Sequence, residues 1–159
     1  MITKEYLQTI FKYDGHHLLW NSPAKGRRKS GVVGTLRKNG YIKVKLDGDF
    51  FYEHRLIFMM HHGFMPDYID HINRIRNDNR IENLRSATLS NNCENSSLRC
   101  DNHLKTRGVS KTPAGKYRAY ISKNKKRIVL GTFDNLDDAK AARIKASIHY
   151  YGEFSNEQV

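Results

Sequence analysis

The amino-acid sequence predicts an α+β chain of two small domains, each built on short antiparallel strands with packed helices. Two kinds of pattern carry this prediction. Short runs of alternating apolar and polar residues, separated by dipeptides typical of tight turns, occur in both halves of the chain. Segments with helical spacing follow these strands in each half. The chain has 159 residues, enough for one modest domain or two small ones, and we expect two.

The first half of the chain predicts a β-meander. Asn39-Gly40 and Asp47-Gly48 suit two-residue hairpin turns, because Asn, Asp and Gly tolerate positive φ. Residues 41–46 between them alternate polar and apolar, so one face of this strand should be buried and the other wet and positive. A weak helical pattern spans Glu5–Tyr13, and a buried helix that is apolar nearly all round is expected over His54–His62.

The charge distribution favours a polyanionic partner. The formal net charge is +12, and residues 15–46 and 102–133 contain no acidic residue. Nucleic acid is favoured over a membrane surface, because no basic amphipathic helix stands out and no apolar run reaches the roughly 20 residues that span a bilayer. A solvated sheet face remains the alternative for the first segment. Its basic residues are Lys25, Arg27, Arg28, Lys29, Arg37, Lys38, Lys43 and Lys45.

Acid, imidazole and amide side chains concentrate between Tyr68 and Asn95. Asp70 and His71 end a short apolar run, a polar and arginine-rich loop follows, and a second short run precedes an Asn-rich segment. This order predicts a strand, a long loop, a strand and a helix, with Thr88 as the N-cap of the helix.

The same unit contains the groups that hydrolysis of a phosphodiester needs. A neutral imidazole such as His71 is the side chain best matched to removing a proton from water near pH 7. A divalent cation held by the Asp70 carboxylate and the amide of a later asparagine can relieve charge on the phosphate and on the leaving 3′ oxygen. Asn83 can pin the loop or orient the imidazole. The alternative is that the Asn-rich loop is simply a turn.

This stretch resembles the H-N-H homing endonucleases found in phages and mobile introns, whose core is a ββα-metal fold. The resemblance covers roughly residues 10–98 and rests on four motifs in the family's order and spacing. They are Glu53-His-Arg-Leu56, Ile69-Asp-His-Ile-Asn73, Asp78-Asn-Arg-Ile-Glu-Asn-Leu-Arg85 and Ala87-Thr-Leu-Ser-Asn-Asn-Cys-Glu-Asn95.

The resemblance implies that Asp70 and Asn92 are metal ligands, that His71 is the general base and that Asn83 fixes the loop geometry. It also implies Mg²⁺, or another divalent cation such as Mn²⁺, as the cofactor. The family has glycine where Arg74 stands, and Arg74 can instead reach a phosphate. The loop arginines expected to contact DNA are Arg74, Arg76 and Arg80.

The last third of the chain predicts a three-stranded antiparallel sheet followed by one helix. Three short runs, Gly108–Lys111, Tyr117–Ser122 and Arg127–Phe133, are separated by turn residues. Asn135 is the expected N-cap of a helix that runs to about Tyr151. Basic side chains belong to the sheet and acidic ones to the helix start, so the sheet is expected to be the DNA face.

This second unit is similar to the Apetala-two or ethylene-response-factor DNA-binding domain, which also occurs appended to phage H-N-H nucleases. The similarity covers about residues 106–154 and rests on Arg-Gly-Val109, Gly-Lys-Tyr-Arg-Ala119 and Leu-Gly-Thr-Phe-Asp134. It implies that basic residues enter the major groove of double-stranded DNA or grip its phosphates. These residues are Arg107, Arg118, Lys123 and Arg127. Lys111 and Lys125, basic residues of the same acid-free segment, are also expected to contact DNA. For any single lysine here, a solvated charge is the alternative.

We therefore expect an H-N-H nuclease domain at residues 1–98 with its core at 53–95, a linker at 99–105 and an Apetala-two-like DNA-binding domain at 106–154. A monomer that nicks one strand is the simpler expectation, because one active site can attack one strand without reorienting.

The cysteines and the N-terminus indicate the compartment. Cys93 and Cys100 form no C-x-x-C pair. Together with His103 they would supply three zinc ligands, but a fourth ligand in register is missing, so no structural zinc is expected. The first residues lack the pattern of a secretory signal. We expect the chain to act in a cytoplasm, that of the host cell if a phage encodes it.

Three hypotheses for the function follow. The first is a metal-dependent DNA endonuclease in which the C-terminal sheet supplies most of the affinity for double-stranded DNA. The second is a sequence-specific DNA-binding protein whose nuclease core is inactive. The third, an RNA-binding module, is disfavoured because the sequence shows no aromatic stacking platform of the kind that single-strand readers use. The first is preferred because Asp70, His71 and Asn92 are all present in register.

Overall fold

A computed structural model describes residues 2–21, 33–96, 98 and 101–155 of the chain. This part of the chain is α+β, as the sequence predicts, with small antiparallel sheets and four α-helices. The chain divides into two compact units, Met1–Ala87 and Thr88–Val159. The predicted basic loop at residues 25–29 and Cys100 lie outside the described residues. The boundary expected from the sequence, a linker at 99–105, stays a prediction.

The first unit contains two helices and seven strands in its described residues. They are α1 Lys4–Ile10, β1 Phe11–Tyr13, β2 Leu18–Trp20, β3 Thr35–Leu36, β4 Ile42–Leu46, β5 Asp49–Tyr52, α2 Glu53–His62, β6 Tyr68–His71 and β7 Leu84–Ala87. The strands form three antiparallel sheets, in the orders β1-β2, β3-β4-β5 and β6-β7.

Phe11–Tyr13 is a strand and not part of the N-terminal helix. The residues after α1 pair antiparallel with Leu18–Trp20, so that Phe11 lies opposite Trp20. The centroids of these two rings are 4.8 Å apart, and Phe11 is buried. The prediction of a helix over Glu5–Tyr13 is therefore wrong in its last three residues, because burying the aromatic ring in a hairpin outweighs a weak helical spacing.

The β-meander predicted from the turn dipeptides is confirmed. Strands β3, β4 and β5 are neighbours in one sheet, and the second turn, between β4 and β5, is closed by Asp47 and Gly48, both at positive φ. On β4 the apolar residues Ile42, Val44 and Leu46 are buried. The lysines between them lie on the opposite face, as strand alternation requires.

Helix α2 is the central element of the first hydrophobic core. Its residues Leu56 and Ile57 are fully buried and pack with Leu7 of α1, Leu18 of β2 and Val44 of β4. The expectation of a buried helix is thus confirmed. Packing against these elements holds α2 in place, including its start, which carries Glu53 and His54.

Strands β6 and β7 form a two-stranded sheet joined by a long polar loop. Asp70 lies opposite Arg85 and His71 opposite Leu84 in its register. The loop ends in a 3₁₀ turn, Ile81–Asn83. The strand, loop and strand predicted from the sequence are all present.

The second unit begins with a helix and continues into a three-stranded sheet backed by a longer helix. Its elements are α3 Leu89–Asn95, β8 Val109–Lys111, β9 Tyr117–Lys123, β10 Lys126–Phe133 and α4 Leu136–Tyr151. The strand order is β10-β9-β8. The predicted N-caps are confirmed, because the Thr88 side chain accepts from Asn91 N–H and the Asn135 side chain accepts from Asp138 N–H. None of the helices in the described ranges is long and apolar enough to cross a bilayer.

Candidate active site

Asp70 and His71 lie side by side at the end of β6, and both are almost completely buried. They are 4% and 5% exposed. Neighbouring side chains on a strand point to opposite faces, but β6 ends at His71 and the chain turns at once. The turn is closed by the Arg74 N–H, which donates to the His71 carbonyl at 2.9 Å. The two residues therefore stand where a strand passes into a loop, as the sequence predicts.

Arg85 is the cation partner of Asp70. It lies directly opposite Asp70 on β7. Its Nε and Nη2 donate to the same oxygen of Asp70, Oδ2, at 2.9 and 2.8 Å. The buried carboxylate is thereby compensated within the first unit, as buried charges must be.

A chain of buried polar side chains leads away from His71. Its Nε2 lies 3.0 Å from Oδ1 of Asn79, whose Nδ2 donates to Oε2 of Glu53 at 2.7 Å. Glu53 is fully buried, and its other oxygen, Oε1, accepts the Leu18 N–H at 2.8 Å. His17 Nδ1 lies 3.2 Å from Glu53 Oε2. The imidazole of His71 is thus held by a network that reaches the start of α2 and β2.

Aromatic rings enclose the imidazole of His71. The ring of His54 crosses it edge-on with 5.0 Å between centroids, and the ring of Tyr41 lies 5.9 Å away. Tyr52 in turn stacks on His54 at 5.7 Å. Nδ1 of His54 is buried and has no hydrogen-bond partner in the structure. These rings contribute to the burial of His71.

Burial changes the pKa of both histidines. It lowers the pKa of His71 below its usual value, and the Asn79 hydrogen bond and the Asp70 charge oppose this shift. It lowers the pKa of His54 to about 3, with smaller contributions from His71 and Arg55 in the same direction. Both imidazoles are therefore neutral near pH 7, and a neutral imidazole is the form that can accept a proton.

Asn83 binds the loop between β6 and β7. Its Oδ1 accepts the Asn73 N–H at 3.0 Å, and its Nδ2 donates to Asn73 Oδ1 at 3.0 Å and to the Asp78 carbonyl at 2.7 Å. Asn73 also donates to the Asp78 carboxylate at 2.6 Å. Of the two roles considered from the sequence, the structure places Asn83 where it pins the loop, and the contact to the His71 Nε2 atom comes from Asn79. A catalytic role of Asn83 stays a prediction.

The loop arginines occupy different positions. Arg74 is exposed and has a φ of 65°, a left-handed conformation that favours glycine. Arg76 is exposed, with its guanidinium 5.2 Å from the centroid of the Tyr41 ring. Arg80 instead makes two hydrogen bonds of 2.8 Å to the Asp78 carboxylate. Arg76 also donates from Nη1 to the Asn39 carbonyl at 2.9 Å, so Arg74 is the loop arginine more accessible to a polyanion.

Asn92 belongs to α3 in the second unit. Its N–H donates to the Thr88 carbonyl at 3.0 Å, within the first turn of the helix, and its side chain is half-buried. The next turn of α3 is anchored in its own unit, because Glu94 accepts from Arg143 Nη2 at 2.6 Å and from Ser147 Oγ at 2.9 Å. The role of Asn92 as a metal ligand stays a prediction.

The basic residues predicted to bind DNA in the second unit fall on different surfaces. Arg118 and Arg127 are exposed on the sheet face that turns away from α4, where Arg127 lies 4.3 Å from the centroid of the Tyr120 ring. Lys123 projects from the other face, and its amine donates to the Tyr150 carbonyl of α4. Exposed positions outside this face are occupied by Lys111 and Lys125.

The guanidinium of Arg107 makes hydrogen bonds within the second unit. Its Nη1 donates to the Cys93 carbonyl at 2.5 Å and its Nη2 to the Ser96 carbonyl at 2.5 Å. These carbonyls lie at the end of α3, where backbone acceptors otherwise lack partners. Arg107 therefore closes the end of this helix, a structural task that the sequence did not indicate.

The carboxylate of Asp70 is a donor type that fits a hard divalent cation, because Mg²⁺ prefers oxygen ligands. A carboxylate has about four lone-pair sites, so Asp70 can accept from Arg85 and still bind an ion. Among the described residues, no group of three or more His, Cys, Asp or Glu side chains is arranged to hold a metal ion. Mg²⁺ is commonly held by one or two carboxylates together with several waters.

Sequence reasoning missed Glu53, Asn79 and Arg85 as parts of the site. All three occur within the motifs quoted above, yet no role was assigned to them. The signal for Glu53 was a carboxylate at the start of an otherwise apolar helix, a residue type that is seldom fully buried without partners. The role of Arg85 was indicated by its position on the strand after the loop, where its side chain can pair with Asp70 on the neighbouring strand.

Comparison with known proteins agrees with this geometry. Residues 51–93 match a family model described as HNH endonuclease. The matched segment begins in β5, includes Glu53, His71 and Asn79 of the network, and ends in α3. No curated protein and no solved structure matches the chain significantly. The family match and the buried Asp70-His71 pair together support an HNH nuclease at residues 51–93 of this chain, with DNA as the implied substrate.

Proposed function

We propose that this protein is a metal-dependent DNA endonuclease of the homing-endonuclease type that hydrolyses phosphodiester bonds. One observation carries the proposal. A neutral, buried imidazole, that of His71, stands next to a buried carboxylate, that of Asp70, within the segment that matches HNH endonucleases. This combination provides a base for water and an anchor for a cation at one point of the chain.

His71 is the general base in this proposal. It takes a proton from the attacking water, which a neutral imidazole does effectively near pH 7. Asn83 keeps the loop after β6 in shape through its three hydrogen bonds. Asp70 and Asn92 are the proposed ligands of Mg²⁺ or Mn²⁺. A bound cation would supply charge relief on the phosphate and on the leaving 3′ oxygen.

Both units contribute to DNA binding in this proposal. Near the proposed site, Arg74 and Arg76 are exposed and can pair with phosphates. In the second unit, Arg118 and Arg127 share one sheet face and are the proposed major-groove or phosphate contacts. The resemblance of this unit to Apetala-two domains, which is part of the proposal, supports the same face.

Cleavage of supercoiled plasmid tests the proposal. The intact chain should convert the plasmid to nicked or linear DNA with Mg²⁺ or Mn²⁺ and should stop when EDTA is added. Asp70→Asn, which keeps the shape but removes the charge that anchors the cation, should bind DNA and not cleave it. If the intact chain binds DNA but cleaves no plasmid or genomic DNA with either metal, the endonuclease hypothesis is wrong. The hypothesis of a DNA-binding protein with an inactive nuclease core is then preferred.

A further inference from the structure

We propose that a cavity in the second unit binds an organic phosphate monoester of the size of a nucleoside monophosphate, and that Arg143 contacts its phosphate. The cavity has a volume of about 520 Å³, and its lining residues lie between Thr88 and Tyr151. All of them belong to the second unit. The proposal goes beyond the endonuclease function and does not depend on it, because the proposed cleavage uses no group of this cavity.

The cavity lies where strand pairing in the C-terminal sheet stops. The Tyr120 N–H donates to the Gly108 carbonyl at 2.7 Å, one residue before β8 begins. Alternate residues of an antiparallel strand direct their backbone groups to the same side, so those of Ser122 also face this side, where no residue of β8 lies opposite them. The Ser122 carbonyl accepts from the Tyr151 hydroxyl instead. Residues of α3, among them Leu89, line the cavity as well.

Arg143 is a buried arginine with unused donors in the lining of this cavity. Its residue is 2% exposed. Nη2 donates to Glu94 Oε1 at 2.6 Å, whereas Nε and Nη1 are buried and have no hydrogen-bond partner among the described residues. The backbone of Gly108 covers Nε, because a Cβ at this glycine would lie 2.5 Å from that nitrogen. Nη1 is therefore the nitrogen left for a ligand, and an acceptor oxygen would satisfy it as buried polar groups require.

The charges of the lining favour a dianion. The charged lining residues are Arg107, Lys125, Arg143 and Glu94, which together have a net formal charge of +2. The Glu94 carboxylate already accepts from Arg143 and from the Ser147 hydroxyl at 2.9 Å. A phosphate monoester carries a charge of about −1.5 to −2 at pH 7 and has three acceptor oxygens. A phosphate within a DNA strand carries a single negative charge, so the lining matches a terminal phosphate better.

The size and the apolar part of the lining favour an organic ligand over an inorganic ion. Cavities that hold small organic ligands have volumes of about 300 to 1,000 Å³, and this cavity lies within that range. The side chains of Leu89 and Ile121 and the rings of Tyr120 and Tyr151 line it. Aromatic rings of this kind can stack on a nucleobase. A phosphate ion alone would leave this apolar wall without contacts.

Two sources present this chemistry. One is a free nucleoside monophosphate, and the other is the terminal nucleotide of a DNA strand that ends in a 5′-phosphate. Both have one phosphate monoester on a sugar that carries a base. The experiments below therefore test the monoester first and its source last.

Calorimetric titration of the full chain with each of the four deoxynucleoside 5′-monophosphates tests the proposal. EDTA is present, so that no divalent cation contributes to binding. At least one nucleotide should bind with a dissociation constant between about 10 μM and 1 mM. Its nucleoside and inorganic phosphate should each bind at least about tenfold more weakly. The proposal is overturned if no nucleotide binds more tightly than about 1 mM, or if the nucleoside or inorganic phosphate binds equally well.

Cys93 reports whether the nucleotide lies in this cavity. Its thiol is exposed, and the residue lines the cavity. In a Cys100→Ser protein, a saturating nucleotide should slow the alkylation of Cys93 by iodoacetamide several-fold. An unchanged alkylation rate would show that the nucleotide binds elsewhere, and the proposal would be wrong.

Leu89→Glu and Ile148→Glu are a matched pair of variants. Both add a negative charge at an exposed apolar position on a helix of the second unit, but Leu89 lines the cavity and Ile148 does not. Repulsion should weaken nucleotide binding about tenfold in Leu89→Glu and no more than about twofold in Ile148→Glu. Equal effects would show attraction to the net charge of the chain instead of a site, and would overturn the proposal.

Arg143→Lys tests the phosphate contact itself. The ammonium group keeps a cation for Glu94, but the donor Nη1 is lost, so nucleotide binding should weaken at least about tenfold. Unchanged binding would contradict the role of Arg143. Should this variant fail to fold, the two glutamate variants and the alkylation of Cys93 still decide.

Competition by DNA separates the two sources. Oligonucleotides with an unpaired 5′ end that carries either a phosphate or a hydroxyl group are added in EDTA to the complex with the nucleotide. If the 5′-phosphate form displaces the nucleotide and restores alkylation of Cys93 more effectively, the strand end is a ligand. If neither form displaces it, the ligand is the free nucleotide. Equal displacement by both forms would show that internal phosphates suffice, and would overturn the choice of a monoester.

Discussion

The guanidinium of Arg85 donates to Oδ2 of Asp70, from Nε at 2.9 Å and from Nη2 at 2.8 Å. The two residues face each other across β6 and β7, and the Asp70 side chain is buried. A divalent cation at Asp70 must therefore share the carboxylate with Arg85. If Asp70 binds the cation as proposed, the stability of the protein should therefore depend on the metal.

Arg85→Gln should lower the free energy of unfolding by about 3 kcal/mol in EDTA, because a buried carboxylate loses its cation partner. Mg²⁺ should then raise the unfolding temperature of this variant more than that of the intact protein, since an ion that binds only the folded state stabilises it by mass action. Thermal unfolding at increasing Mg²⁺ concentration measures this. The control, Arg85→Gln with Asp70→Asn, should not respond. An equal response of both variants would show that Asp70 is not the ligand.

The backbone conformation at Arg74 predicts that substitution by glycine and by alanine will give proteins of different stability. At a φ of 65° a residue with a Cβ costs roughly 1 kcal/mol relative to glycine. Arg74→Gly should thus be about 1 kcal/mol more stable than Arg74→Ala in urea unfolding, although both remove the same charge. Both should weaken DNA binding equally, as measured by fluorescence anisotropy. Identical unfolding curves would contradict strain at this position.

Local chemistry made part of the fold predictable. The turn dipeptides of the meander contain residues that tolerate positive φ, and this preference belongs to each residue type by itself. Thr88 and Asn135 cap helices through their own side chains and neighbouring amides. Asp70 and His71 are adjacent in the chain, so their common position at the end of a strand followed from the sequence as well.

Contacts between distant residues were not predictable in this way. Glu53 and Asn79 are 26 residues apart and meet only because α2 packs beneath the loop. The pairing of Phe11–Tyr13 with the next strand was likewise not evident from the helical spacing of these residues. The resemblance to Apetala-two domains implied that Arg107 and Lys123 contact DNA, whereas the structure gives both of them backbone acceptors within the second unit. The sign of a charge can be read from a sequence, but the group that it meets cannot.

The acid stability of the protein should depend on Asp78. Hydrogen bonds from Arg80, followed by one from Asn73, hold the pKa of Asp78 well below its usual 3.8, although desolvation opposes this. Stability from the ionised form is therefore fully present above about pH 4. It is lost as the pH falls through 3.8 toward the lower pKa of the folded state.

Asp78→Asn should remove this pH dependence. Between pH 4 and pH 2 the free energy of unfolding of the intact protein should fall more steeply than that of the variant, as urea unfolding at each pH would show. The depressed pKa of His54 also costs stability as the pH falls from 6.5 toward about 3, but it does so in both proteins and cancels in the comparison. Parallel curves would contradict the importance of the Asp78 and Arg80 pair.

The two faces of the C-terminal sheet predict different effects on DNA binding. Arg118→Ala, on the face turned away from α4, should reduce DNA affinity and take about 0.9 off the slope of log K against log salt concentration. Lys123→Ala should change the salt slope much less, because this amine already binds the Tyr150 carbonyl. Single substitutions are cleaner than deletion of residues 104–159, since that deletion would remove Arg143 and leave the buried Glu94 carboxylate behind. Equal slopes for both variants would contradict the assignment of the DNA face.

The central claim is that His71 is the base of a DNA endonuclease, and the single-turnover rate of cleavage tests it most directly. With saturating protein, Mg²⁺ and a DNA substrate that the intact chain cleaves, His71→Ala should bind with unchanged affinity and cleave about 10² to 10⁴ times more slowly. His16→Ala, which removes an exposed imidazole from a loop, should cleave at the rate of the intact protein. Cleavage by His71→Ala at the rate of His16→Ala would contradict the account.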